Sequence, residues 1–165
     1  MTVRPILRYP APRLAVPADP VTVFDGALRE LAQDLTDTLH AAPGIGITAP
    51  HIGISLRVVV LDLDADDGAR TYVNPEIIWA SLEMIMHREG SVSMPGVHDD
   101  IQRHARVRIS YQDLHGNLQT EESEALRAVC HQHELDQLNG LFWIQRLSRL
   151  KRERLIKRFE KVSRG

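Results

Sequence analysis

Leu28, Leu31, Leu35 and Leu39 recur every three or four residues between Asp25 and Pro43, with Arg29, Glu30, Gln33, Asp34 and Asp37 interleaved. That period predicts an amphipathic helix over about 26–42, capped by Asp25, its polar face in water. A second run, Leu126, Val129, Cys130, His133 and Gln137, shares one helical face and stops at Asn139-Gly140, a pair suited to a helix end. Behind Ser148, Leu150, Leu155, Ile156, Phe159 and Val162 predict a C-terminal helix. Between the first two helices the period shortens. Residues 57–63 hold the β-branched run Val58-Val59-Val60-Leu61 of a buried strand, and Asp64 to Gly68 turn it into another around 71–75. Residues 77–88 supply one or two more strands. Val107, Ile109 and Tyr111 alternate with Arg108 and Ser110 as a half-buried strand, and His115-Gly116-Asn117 turns toward one near 118–121. Leu141 to Ile144 is too short an apolar run to classify.

Pro5, Pro10, Pro12, Pro17 and Pro20 make residues 4–22 a wrapping segment, not a layer. Residues 43–53 and 89–96 read as glycine-bounded loops whose backbone approaches a ligand or strand closely. Helices at both ends with strands between give an α+β domain, not alternating βαβ units.

A chain of 165 residues is expected to form one domain, 1–165, with a core large enough to need no disulfide. One cysteine fits a reducing compartment. No apolar run approaches a membrane span and Met1 to Pro5 has no signal-peptide core, so a cytoplasmic location is expected, with no membrane partner. The net charge of −2 hides an asymmetry: residues 146–165 carry nine Lys/Arg against two Asp/Glu. A basic terminal helix on an acidic body steers toward polyanions such as RNA, or is simply a solvated helix face.

Candidate chemistry sits in the second helix. His133-Glu134 reads as the first half of His-Glu-x-x-His, where two imidazoles one turn apart hold a metal and the Glu handles the proton of its bound water. Gln137 stands where the second imidazole belongs. The remaining histidines read as surface residues at 40, 87, 98, 104 and 115, and as structural or exposed at 131.

Three pieces in order then match one family. Gly44 to Gly53 resembles the Gly-x-Gly-x-Ala-Ala-x-Gln loop of peptide deformylases, Glu89 to Ser93 their Glu-Gly-Cys-Leu-Ser loop, and Gln132 to Gln137 their Gln-His-Glu-x-Asp-His helix. The flanks Pro5-Ile6-Leu7, Pro12-Arg13-Leu14, Val73-Asn74-Pro75 and Met94-Pro95-Gly96 resemble the family too. The resemblance implies small, mostly antiparallel sheets around a central helix carrying His133-Glu134, plus the C-terminal helix. It implies hydrolysis of the formyl group from N-formylmethionyl peptides, with iron or zinc on one Cys and two His. Mapped onto this chain, the metal positions are Ser91, His133 and Gln137, and Glu134 is the general base. The oxyanion donors become His51 and the backbone N–H of Val92. Gly44, Ile45, Gly46, Val92 and Val129 fall to substrate binding, and Asp136 to an orienting carboxylate. Thr48 and Ala125 replace an Ala and a Gly of the pattern, which reads as a minor change.

A hydroxyl, one imidazole and a carboxamide hold a borderline-soft cation far less well than a thiolate and two imidazoles. Two readings follow. In one, no cofactor binds, and the cleft is that of a pseudoenzyme receiving the N-terminal peptide of nascent chains. In the other, His51 and His133 rebuild a site for iron or zinc, with Glu134 or Ser91 as third ligand, and hydrolysis persists. The family also points to a ribosome contact through the basic helix of 146–165; no DNA partner is expected.

Overall fold

In the computed structural model, which describes residues 2–164, the leucine stripe forms α1 (Gly26–Ala41). Asp25 caps it, accepting the Leu28 N–H at 3.2 Å. The four leucines are buried as expected, but so is Asp34, where water was expected. Arg4 reaches it from the N-terminal segment, with contacts of 3.0 and 3.1 Å. A buried carboxylate is tolerable because that cation answers it. The segment itself wraps the body, with one 3-10 turn at Pro12–Ala15. Met1 and Gly165, the ends of the expected domain, lie outside the described residues.

Seven strands follow: β1 (Gly46–Thr48), β2 (Val58–Leu61), β3 (Arg70–Ala80), β4 (Met84–Ser91), β5 (Met94–His104), β6 (Arg106–Gln112) and β7 (Leu118–Glu124). Five of them form an antiparallel sheet ordered β1-β2-β3-β6-β7, and β4 with β5 forms a separate antiparallel ribbon. The ribbon corrects the reading of 89–96 as a loop, since only Val92 and Ser93 lie between its strands. Strand β5 was not predicted at all. Its inward positions Val97, Ile101 and Arg103 include a charge, so apolar alternation is too sparse to read.

Helix α2 (Ala125–Leu138) packs Ala128, Cys130, Leu135 and Leu138 against Val59, Leu61, Tyr72, Val107 and Ile109. On the other face, α1 covers Val58, Val60, Val73 and Ile47. Strand β2 therefore lies between two helices, which is why all four of its residues are apolar. Asn139 and Gly140, at φ 80°, end α2 as predicted. Trp143–Arg146, which begins in the unclassified run, is a 3-10 turn. Helix α3 (Arg149–Arg164) docks through Leu155 and Phe159 onto Trp143, Ile144, Met94 and Ile101. Leu150 and Val162 were expected on that apolar face but are 57% and 52% exposed, because α3 meets the body along a narrow seam. Among the described residues no helix is long and apolar enough to cross a membrane. The α+β class and the small antiparallel sheets around a central helix are those the resemblance implied.

Candidate functional site

One cleft of about 700 Å³ opens in front of α2. Strand β1 and its preceding residues supply Gly44, Ile45 and Gly46, the end of β4 supplies Glu89 to Ser91, and Val92 closes the turn. From α2 come Leu126, Val129, Cys130, His133 and Glu134, and from the 3-10 turn Ala49–Ile52 comes His51. Every site residue expected from the sequence lines this cleft except Asp136, which faces the other side of α2, and Gln137. The Gln137 side chain is buried, and its Nε2 donates to the carbonyl oxygen of Leu14 at 2.8 Å.

His51 is held by its own turn. Thr48 backbone N–H donates to His51 Nδ1 at 2.9 Å, and the Thr48 hydroxyl lies equally close. A backbone amide can only donate, so Nδ1 carries the lone pair and the neutral ring has its proton on Nε2. Burial, then the charge of His133, pushes the His51 pKa down to about 3, so the ring stays neutral. Its Nε2–H is buried without a partner. It is a fixed donor at the edge of the cleft.

His133 is held from behind. Its Nδ1 lies 2.8 Å from Glu89 Oε1, and its Nε2 is 3.6 Å from Glu134 Oε1. Arg103 grips Glu89 with two bonds of 2.8 Å and reaches Asp136 at 2.6 Å. Arg146 completes the chain with bonds of 2.7 and 2.9 Å to Asp136. Burial raises the Glu89 carboxyl, but the bonds from Arg103 and His133 outweigh it and leave it at about 2. Burial opposes a charge on His133 as well, yet the bond to Glu89 and the charge of Glu134 raise its pKa overall. Asp136, read as an orienting carboxylate, thus orients Arg103, a residue that no sequence motif singles out.

Glu134 is the exception to this pairing. Burial pushes its carboxyl up to about 7, against the lowering charge of His133, and among the described residues Oε2 has no partner. Gly46 makes room for it: a Cβ there would stand 3.0 Å from that oxygen. Cys130 lines the cleft as a neutral thiol, pushed up to about 12 by burial and by the charges of Glu134 and Glu89. His131 is buried, not exposed, with Nε2 2.6 Å from Glu121. His104 is half-buried and meets Ser81 O at 2.7 Å, and His87 is half-buried as well; both were expected at the surface.

The sequence profile described as Polypeptide deformylase matches residues 3–153. The chain belongs to the polypeptide deformylase family. It is 79% identical to a "Peptide deformylase-like" protein of Bradyrhizobium diazoefficiens, across all of this chain and 97% of that one. It is 45% identical to a "Peptide deformylase" of Phenylobacterium zucineum, over 98% of this chain and 97% of the other. Among solved structures, the peptide deformylase of Legionella pneumophila superposes with a TM-score of 0.94 at 36% identity, covering 99% of this chain and 96% of that one.

The deformylase positions for a divalent metal do not fit one here. Gln137 turns its amide nitrogen, a donor, to Leu14, and Ser91 offers a neutral hydroxyl that accepts the Ser93 N–H at 3.1 Å. Of the three positions only His133 keeps a ring nitrogen directed to the cleft. Among the described residues no group of three or more His, Cys, Asp or Glu side chains is placed to hold a metal ion. Ala125, read as a minor departure from the deformylase pattern, has φ 52°, a left-handed conformation that suits the glycine it replaces.

Proposed function

We propose that this chain is a peptide-binding deformylase homologue that has lost metal-dependent hydrolysis: it receives the formylated methionine end of nascent chains and releases it unchanged. The observation that carries this reading is the Gln137–Leu14 bond, which removes a metal position from the cleft and puts it to structural use. Chemistry supports it. Without a metal, water has a pKa near 15.7, while Glu134 titrates at about 7. Moving that proton costs roughly 12 kcal/mol before any bond to the formyl carbon forms. Binding needs none of this. In this reading the free His51 Nε2–H donates to a peptide oxygen, Glu134 Oε2 accepts an amide N–H, and backbone at Gly44 to Gly46 and at Ser91 and Val92 takes an extended peptide as an added strand. Ile45, Val92 and Val129, which line the cleft, take the methionine side chain in this reading.

A second reading keeps an active deformylase, the activity named for the Phenylobacterium relative, through a rebuilt iron or zinc site on His51 and His133 with Glu134 or Ser91. Its support is the pair of unpartnered atoms, His51 Nε2 and Glu134 Oε2. Elemental analysis of protein purified without chelators, with a formyl-Met tripeptide assay in added iron, zinc or nickel, separates the two. Stoichiometric metal with turnover overturns the proposal; peptide binding by calorimetry without turnover supports it. Helix α3, with eight Lys/Arg and two Asp/Glu, is the element this reading assigns to ribosome contact. Such binding weakens steeply with added salt.

A further inference from the structure

Behind α2, on the face away from the cleft, lies a second groove of about 610 Å³. Pro20, Pro75, Ile77, Met84 and Leu135 form its apolar wall, and Ile77 and Met84 remain 37% and 38% exposed. Its volume falls in the range of small-molecule sites, and polar side chains face the apolar wall across it.

The polar groups are unevenly matched. Three guanidinium groups line the groove, those of Arg57, Arg103 and Arg146, with the carboxylates of Glu76 and Asp136. Arg103 and Arg146 are both committed to Asp136, and Arg103 also to Glu89. Arg57 is different. Its Nη1 donates to the Leu138 carbonyl oxygen at 3.2 Å, at the end of α2, and it forms no ion pair within 4.0 Å among the described residues. Burial holds its pKa below the ordinary value, and the charge of exposed Glu76 answers this only in part.

We propose that this groove is a binding site for a small carboxylate on an apolar stem, with the carboxylate on Arg57 and the stem along Ile77, Met84 and Leu135. A guanidinium presents paired N–H groups that match both oxygens of a carboxylate, and a neutral amide offers no such match. The inference does not depend on what the cleft does.

The test is an NMR titration of the ¹⁵N-labelled chain with hexanoate and, separately, with the neutral hexanamide. Hexanoate is expected to give saturable shifts at the amides of Glu76, Ile77, Gln102 and Asn139, with a midpoint on the order of 1 mM. Hexanamide, and hexanoate with Arg57→Gln, are expected to bind at least tenfold more weakly. Arg57 also supports the end of α2, so Ile77→Glu, at an exposed wall position, carries the test should Arg57→Gln unfold; it too is expected to weaken hexanoate tenfold. Equal binding of the amide, unchanged binding in the variants, no shifts, or shifts confined to Gly44, Ile45 and Val129 in the cleft would overturn the proposal.

Discussion

Gln137 donates its side-chain amide to the backbone carbonyl of Leu14, 123 residues earlier in the chain, at 2.8 Å. Both residues are buried, so the bond is shielded from water. Gln137→Leu keeps the volume but orphans the Leu14 carbonyl, a loss of about 1–3 kcal/mol. Denaturant unfolding checks the magnitude, and faster amide exchange over residues 12–16 checks the place. Unchanged stability would mean that the bond is not what holds the wrap.

The triple change Ser91→Cys, Gln137→His and His51→Gln restores the donor set that the family resemblance assigns. It is expected to retain close to one zinc or iron per chain in elemental analysis and to hydrolyse a formyl-Met tripeptide, neither of which the proposed function expects of the parent. A triple variant that loads metal yet stays inert places the defect in the pocket walls.

Ala125 starts α2 at φ 52°, where an L-residue with a Cβ is strained by roughly 1–2 kcal/mol. Ala125→Gly is expected to raise stability by about 1 kcal/mol, because relief of the strain exceeds glycine's added unfolded-state entropy. A lower thermal midpoint would contradict this.

Stability is expected to stay nearly level between about pH 4.5 and 6.5 and to fall on both sides. The Glu89 carboxyl is held at about 2, against an ordinary 4.5, so its contribution is complete above 4.5 and lost as pH falls toward 2. That loss is on the order of 3 kcal/mol. Glu121 acts in the same sense: burial opposes, but bonds from His131 and Tyr72 bring it to about 2. Glu134 acts oppositely. Its raised pKa means that ionising it in the folded protein costs stability as pH rises from 4.5 through about 7. His51, held at about 3 against an ordinary 6.5 by burial and then by the charge of His133, costs stability as pH falls from 6.5 toward 3, and between 4.5 and 6.5 this offsets the opposite slope of Glu134. His133, raised above 6.5 by the bond to Glu89 and the charge of Glu134 against the opposing burial, loses its contribution as pH rises above 6.5. Isothermal denaturation at half-unit pH steps measures both limbs, and Glu134→Gln should flatten the alkaline one.

Where apolar period alone decides burial, the elements were legible. The leucines of α1, the run Val58 to Leu61 and the alternation at Val107 and Ile109 all lie where their spacing placed them. Strand β5 was not, because Arg103 occupies an inward position that pattern reading assigns to water. Its burial depends on Glu89 and Asp136, 14 and 33 residues away, and no local window contains them. The same holds for Asp34 with Arg4 and for His131 with Glu121.

The amino-acid order by itself determined the α+β class, the deformylase kinship and much of the lining of the cleft, since segments 43–53 and 89–96 and helix α2 each carry their residues in short contiguous motifs. Only the folded chain decided what those residues do. It turned Gln137 to Leu14, fixed the His51 proton on Nε2 through Thr48, and left Glu134 Oε2 without a partner among the described residues. Charge and hydrogen-bond partners come from segments far apart in sequence, and their pairing is a property of packing, not of spacing.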